Sequence, residues 1–266
     1  MVYGAMARLV DELESQAATV DMVTWACPVP FFGEITRSPV ATVGINPSNK
    51  EFVDSGGDEL TGAQRRLPTL LSMGLSRWSE TSGDDVRHIV RSCERYFDGN
   101  PYRTWFDVLE RMLKVGGTSF YGGIRACHID LVAYATSSKW GSLPGPLRRD
   151  LIDQGRTTLA ELIRDSAIQV LVLNGRSVVS EFVSFAQAEL EARPVPEWTL
   201  PRSRGAGVAG VAYEGTIRTV GGVDLDREVL VIGYNHNLQS SFGVTSQVMQ
   251  RIGQHVGETI AQATAR

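Results

Sequence analysis

The feature that most constrains the fold is a set of four short, almost continuously apolar runs. They are PVATVGINP (39–47), RACHIDLVAY (125–134), IQVLVLNG (168–175) and REVLVIGYNH (227–236). Each has the length and the β-branched content of a strand and runs into polar or turn-forming residues. Segments with helical spacing of apolar residues lie between them. Strands that are apolar on both faces and alternate with helices are typical of a parallel sheet covered on both sides, so the sequence predicts an α/β fold.

The 266 residues suit a single domain over 1–266. The spacing of apolar residues predicts an N-terminal helix over 5–18. A polar, Gly-rich stretch over 48–66 is predicted to be a loop of functional length. A Pro/Gly-rich stretch at about 192–228 is predicted to be an insertion made of a loop and a β-hairpin.

Composition and charge exclude several classes of protein. Hydrophobic residues make up 42% and charged residues 21%, which excludes wholesale disorder. The net charge of −4 argues against a nonspecific nucleic-acid coat but allows a local basic face. No run approaches the ~18 apolar residues of a membrane span, and no signal-peptide core opens the chain. We therefore expect a cytoplasmic protein without a membrane partner. We also expect a monomer. Three distant cysteines (27, 93 and 127) predict neither disulfides nor a metal site, and no cofactor is expected.

Candidate functional residues follow the predicted strands, at the edge where open α/β sheets bind ligands. In Gly44-Ile45-Asn46-Pro47-Ser48, Gly44 permits a close approach and Asn46 projects at the strand end. An ordinary turn, in which Asn46 bonds the local backbone, is the alternative. His128 and Asp130 share one face of their strand. Buried ionisable groups need partners, so a mutually satisfied structural pair is the alternative there.

Two further segments follow the last two strands. His236 lies in YNHNLQSS (234–241), where a histidine among small polar residues could stabilise a developing anion; the alternative is a polar loop whose histidine caps the next helix. VLVLNGRSVV (170–179) reads as a strand, a glycine turn and a helix, an arrangement that can bind phosphate. It lacks the GxxxxGK[ST] and GxGxxG patterns, so a structural role is at least as well supported.

Together these segments resemble the uracil-DNA glycosylase superfamily over roughly residues 38–250. GINPS is similar to its first motif, near the GINPG form of the mismatch-specific and single-strand-selective branches. HIDLV is similar to the strand that reads the base, and NHNLQSS stands where the family has a His-Pro-Ser-type loop. The resemblance implies a central four-stranded parallel sheet flanked by helices, DNA across the strand ends and a branch without an iron–sulfur cluster. Two departures are Asn237 in place of Pro and Asp130 in place of the base-reading Asn.

The resemblance implies a monofunctional DNA glycosylase that flips out a pyrimidine and hydrolyses its N-glycosidic bond, leaving an abasic site. Asn46 would then orient the attacking water, and His236 would donate to the O2 of the leaving base. Phe52 is the candidate for stacking on the base, with Leu67 as its rival and packing within the domain as the alternative. Leu238 or Gln239 would fill the gap in the DNA stack. The expected DNA contacts are Ser48, Lys50, Arg65, Arg66, Lys139, Asn237, Leu238, Gln239 and Ser240, with Arg148, Arg149, Arg202 and Arg204 as further basic candidates.

Asp130 is the residue from which we predict the substrate. A protonated carboxyl accepts from cytosine N4 and donates to N3, and burial favours that form. We therefore expect release of cytosine or a 5-modified cytosine, as in antiviral defence against modified phage DNA, with weak or no action on uracil. The alternatives are that Asp130 only orients His128, that the enzyme is a uracil or mismatch repair glycosylase, or that the chain binds nucleic acid without catalysis. A nucleotide hydrolase is disfavoured because no P-loop or metal-binding carboxylate signature is present.

Overall fold

A computed structural model describes residues 2–15, 21–202, 205, 207–239 and 243–265. The protein is a mixed α/β structure with one eight-stranded sheet flanked by helices. The strands are β1 Phe31–Phe32, β2 Val40–Gly44, β3 Thr118–Ser119, β4 Ile124–Asp130, β5 Val170–Asn174, β6 Glu191–Leu200, β7 Val208–Val220 and β8 Val223–Tyr234. The helices are α1 Val2–Ser15, α2 Leu70–Met73, α3 Gly83–Glu94, α4 Arg103–Val115, α5 Gly145–Arg164, α6 Arg176–Ala186 and α7 Ser246–Thr264.

Four parallel strands occupy the centre of the sheet, in the order β4-β2-β5-β8. Every residue of β2 and β5 is buried, which explains their uninterrupted apolar sequences. The sheet is wider than the four strands expected. β1 adds antiparallel to β4 at one side, β3 pairs with the start of β4, and β7 and β6 extend the sheet beyond β8.

The stretch at about 192–228 contributes most of β6, all of β7 and the start of β8 to this sheet. β7 and β8 are joined by Gly221-Gly222, both with positive φ, as the tight turns that favour β-hairpins require. β6 then pairs antiparallel with β7. β6 is mostly exposed, so its sequence lacks the apolar run by which a buried strand is recognised.

Side chains cap the starts of α3 and α7. Ser82 and Asp85 form a capping box at α3, and the Thr245 side chain caps α7. The N-terminal helix begins at Val2, earlier than expected. Its described part ends at Ser15, and positions 16–18 of the expected helix lie outside the described residues.

Two groups of helices flank the sheet. α4 packs against α7, and Trp105 and Phe106 of α4 contact His128 of β4. α5 contacts β8, α1 and α6. None of the described helices is long and apolar enough to cross a membrane.

Candidate functional site

The carboxyl ends of the central strands meet at one edge of the sheet. β4 lies on one side of β2 and β5 on the other, so the chain order reverses about β2. Such a switch point opens a crevice in which α/β proteins bind ligands. Gly44, the last residue of β2, pairs with Asp130, the last residue of β4. Asn46 follows β2 by two residues, and Asn174 ends β5.

Two adjoining cavities lie at this edge. The smaller has a volume of about 60 Å³, several times what one water molecule needs. Its aromatic walls are formed by Phe32, Tyr102, Trp105 and Phe106. Two carboxyl groups and an imidazole also line it, those of Glu51, Asp130 and His128. The larger is an open crevice of about 610 Å³ bordered by the start of α6 and the segment after β8. Gly44, Ile45, Asn46 and Trp105 line both cavities, so Asn46 stands at their junction.

A chain of polar contacts fixes the floor of the small cavity. His128 and Asp130 are 1% and 3% exposed, and His128 Nε2 lies 3.3 Å from Asp130 Oδ1. His128 Nδ1 lies 2.7 Å from the Thr42 hydroxyl. A neutral His128 that donates from Nε2 to Asp130 can therefore accept from Thr42 at Nδ1. The shared face expected for His128 and Asp130 is observed, and their side chains are in contact.

Gly44 makes room for this arrangement. A Cβ at Gly44 would lie 2.3 Å from Asp130 Oδ1 and 2.8 Å from His128 Nε2, closer than real contacts allow. The close approach expected at Gly44 is therefore an approach of two side chains from the neighbouring strand. Any other residue would push the carboxyl of Asp130 out of its present place.

Glu51 is a second buried carboxyl in the same cavity, and no sequence motif singles it out. It ends a short 3₁₀ turn, Asn49–Glu51, capped by the Ser48 side chain. It is 3% exposed, and its Oε2 accepts a hydrogen bond from Tyr96 Oη at 2.5 Å. Burial raises the pKa of Glu51 to about 7; the Tyr96 hydrogen bond and the charge of Arg66 lower it, and the charge of Asp130 adds to the rise. An acidic residue in the loop after the first motif was the only available signal.

Asn46 is held through its amide nitrogen. Nδ2 donates to the carbonyl oxygens of Pro47 and Tyr134 at 3.3 and 3.4 Å and to Thr136 Oγ1 at 3.1 Å. Because carbonyl oxygens only accept, these contacts identify which end of the amide is nitrogen. The amide oxygen makes no hydrogen bond within the described part of the chain, so it is available to a water molecule at the junction of the cavities.

His236 is placed differently from the expectation. It is 4% exposed, and its Nε2 lies 2.7 Å from the backbone carbonyl of Trp198 in β6. A carbonyl accepts, so Nε2 carries a proton and donates it there. His236 does not line either cavity. Its neighbours Asn237 and Gln239 line the large crevice, and Asn174 Nδ2 donates to Gln239 Oε1 at 2.8 Å.

Phe52 and Leu238 are core residues in this structure. Phe52 is buried and packs edge-on against Trp25, with ring centroids 6.1 Å apart. Its rival Leu67 is buried as well, and neither lines a cavity. The aromatic side chain that lies at the junction is Trp105. Leu238 is buried against α4 and α7, so it does not project from the surface as a wedge would.

The expected DNA-contacting residues are scattered. Ser48 lines the small cavity and caps the turn before Glu51. Lys50 Nζ donates to the Asp54 carbonyl, and Arg66 donates to the Lys50 carbonyl while its guanidinium lies 5.5 Å from the centre of the Tyr102 ring. The other positions have these environments: Arg65 is half-buried, Lys139, Arg149 and Arg202 are exposed, Arg148 borders the large crevice, and Arg204 and Ser240 lie outside the described residues.

Within the described ranges, no group of three or more His, Cys, Asp or Glu side chains is arranged to hold a metal ion. Cys27, Cys93 and Cys127 are free and buried. A scan against protein-family models finds no match, and a search of curated proteins finds no significant similarity.

Proposed function

We propose that this chain is a monofunctional DNA glycosylase of the uracil-DNA glycosylase type, acting on cytosine or a modified cytosine. The observation that carries the proposal is the pair of adjoining cavities with Asn46 at their junction. The edge of a flipped base that carries N3 and N4 would enter the small aromatic cavity, and the rest of the base, its sugar and its phosphates would lie in the open crevice. The glycosidic bond would then lie beside Asn46. The parallel order β4-β2-β5-β8 supports the family resemblance.

Asn46 is suited to position the attacking water. Its amide nitrogen donates to protein acceptors, which fixes the orientation of the amide. Its amide oxygen can therefore accept a hydrogen bond from a water molecule. An amide is too weak a base to remove the proton completely. Its contribution is orientation toward the sugar carbon as the transition state gains oxocarbenium character.

Asp130 is suited to read the exocyclic amino group of cytosine. His128 Nε2 lies 3.3 Å from Asp130 Oδ1, and the carboxyl oxygens of Asp130 can accept a hydrogen bond from N4–H. The same contact is compatible with the other role considered for Asp130, that of orienting His128. Replacing the carboxylate with an amide separates these roles, because only base reading predicts a changed choice of base.

Abasic-site formation tests the proposal. Duplex and single-stranded oligonucleotides containing cytosine, 5-modified cytosines or uracil are incubated with the protein and then cleaved with alkali. We expect strand cleavage at a cytosine-type base with the wild-type protein and far less with Asn46→Ala after the same incubation. Release of uracil alone would contradict the substrate class, and release of no base would contradict the activity.

The position of His236 favours a second candidate, a nucleic-acid-binding protein that lacks base-release activity. In the glycosylase proposal His236 would donate to the leaving base, yet its Nε2–H is engaged with the Trp198 carbonyl. The binding-only candidate predicts DNA affinity without abasic sites from any substrate in the same panel. Fluorescence anisotropy with the labelled oligonucleotides measures that affinity.

A further inference from the structure

Glu51 is a buried acid in the small cavity to which the proposed mechanism assigns no role. Tyr102 N–H donates to Tyr96 Oη at 2.8 Å, so the Tyr96 hydroxyl proton is directed to Glu51 Oε2. Glu51 Oε1 makes no hydrogen bond within the described residues. Because Glu51 lines the cavity, this second oxygen is the one available to a ligand.

The groups around Glu51 favour holding a proton there. Asp130, on β4, contributes a negative charge, and Tyr96, on the turn after α3, donates to the other oxygen. His128 faces the same cavity but makes its contacts with Thr42 and Asp130. Arg66 is the cation that opposes protonation, and its Nη1 donates to the Lys50 carbonyl rather than to a Glu51 oxygen. The charge of Asp130 in the same cavity makes ionisation of Glu51 less favourable.

Cytosine-type bases need such a proton to depart. When the bond from C1′ to N1 breaks, its electron pair moves onto the base, and an unprotonated cytosine would leave as an anion. We infer that Glu51 is the general acid of the reaction: protonated, it donates a hydrogen bond to N3 of a cytosine-type base and transfers that proton to N3 as the bond breaks. This inference rests on the proposed function.

The step balances without any further reagent. The base leaves neutral, with the proton at N3, and Glu51 becomes a carboxylate. The water positioned by Asn46 adds its oxygen to C1′ and releases one proton to solvent, from which Glu51 is reprotonated. The net reaction is hydrolysis to the free base and an abasic site. A general acid of this kind is typically worth about 100-fold or more in rate.

Single-turnover excision across a pH series tests the inference, with Glu51→Gln as the main variant. Glutamine keeps the size of the side chain and can accept from Tyr96 but cannot transfer a proton. We expect wild-type excision to fall above about pH 7, near the pKa of Glu51. Glu51→Gln should be slower by about 100-fold at lower pH and should lack that decline.

Two further variants test whether the pH dependence of excision comes from Glu51. Glu59→Gln is the control: Glu59 accepts from Thr69 Oγ1 in the following loop and lines neither cavity, so its rate and pH profile should match the wild type. Tyr96→Phe removes a hydrogen bond that lowers the pKa of Glu51, so the alkaline decline should move to higher pH. A residue that only supported the fold would not abolish the alkaline decline in Glu51→Gln and move it to higher pH in Tyr96→Phe.

Calorimetric binding of free cytosine and free uracil, in buffers of different ionisation enthalpy, separates this inference from the proposed function. Proton uptake with cytosine that disappears in Glu51→Gln would support Glu51 as the proton donor to N3. If no DNA base were released, the glycosylase would be refuted and only the binding of cytosine by protonated Glu51 would stand. Base release with an unchanged rate and pH profile in Glu51→Gln would overturn the inference and leave the glycosylase standing. Proton uptake with uracil alone would overturn donation to N3 of cytosine. Absence of both base release and proton uptake would overturn both proposals.

Discussion

The burial of Glu51 predicts a measurable dependence of stability on pH, whatever the protein does. Glu51 has a pKa of about 7 in the folded protein against an ordinary 4.5. A carboxyl with a raised folded pKa stabilises the fold fully below its unfolded pKa, and that contribution is lost as the pH rises through the folded pKa. The two values correspond to roughly 3 kcal/mol between about pH 4 and about pH 8.

Glu51→Gln should remove this dependence. The variant keeps a hydrogen-bond acceptor for Tyr96 and carries no charge at any pH. Burial also raises the pKa values of Glu12 and Glu94, but those groups contribute equally to both proteins and cancel in the difference. The variant should therefore gain stability relative to wild type by roughly 2.5 kcal/mol as the pH rises from about 5 to about 8.

Urea unfolding at several pH values, followed by circular dichroism, measures this difference. The control is again Glu59→Gln, whose difference from wild type should stay constant with pH. A difference between Glu51→Gln and wild type that varied by less than about 0.5 kcal/mol over the series would refute the reasoning. It would mean that Glu51 is hydrated or compensated in solution and does not hold a proton at neutral pH.

Four further substitutions test the site. Gly44→Ala should destabilise the fold by about 1–3 kcal/mol in urea unfolding, because its Cβ would lie 2.3 Å from Asp130 Oδ1; unchanged stability would contradict the packing described. Asn46→Ala should slow single-turnover excision by about 100-fold while DNA anisotropy stays unchanged, and a rate within about threefold of wild type would exclude the water-positioning role. Asp130→Asn should shift release from cytosine toward uracil in the oligonucleotide panel, and an unaltered preference would leave Asp130 as a partner of His128. His236→Ala should cost about 1 kcal/mol of stability with little change in excision rate, because its Nε2–H donates to a backbone carbonyl; a large loss of rate at constant stability would show that His236 reaches the base.

The centre of the sheet was predictable because strands buried on both faces have uninterrupted apolar sequences. β2 and β5 are covered on both faces, so their sequences are apolar throughout. β6 was not recognisable by the same rule, since most of its residues are exposed and it contains Pro194 and Pro196. Its place in the sheet depends on pairing with β7, and the local sequence of β6 does not indicate that pairing.

The strand-end residues of the site were predictable for a related reason. Parallel strands bring their carboxyl ends to one edge, which places Gly44 and Asn46 near His128 and Asp130. The loop after β2 was not predictable at the level of single side chains. Glu51 and Phe52 are neighbours, yet one faces the small cavity and the other packs on Trp25 in the core.

The aromatic walls of the cavity illustrate a different limit. Trp105 and Phe106 lie on α4 and Phe32 on β1, far apart in sequence and without any motif. In the sequence they have the same appearance as core residues, because they follow the apolar spacing of their elements. Only their contacts with His128 reveal that they border a cavity at the strand ends.

Glu51 and Asp130, the two carboxyl groups of the small cavity, together bear on which base can bind there. Burial raises the pKa of Glu51 to about 7, and the charge of Asp130 adds to that rise, so Glu51 can supply a donor while the carboxyl oxygens of Asp130 can accept. A base with an amino donor beside Asp130 and a ring acceptor beside Glu51 then satisfies both groups, and cytosine presents that pair. Because cytosine binds in this arrangement to the protonated form of Glu51, whose pKa is about 7, occupation by cytosine should stabilise the fold more at about pH 5 than at about pH 8. Thermal unfolding with and without free cytosine at both pH values measures this, and an equal or reversed effect would contradict the assignment of the proton.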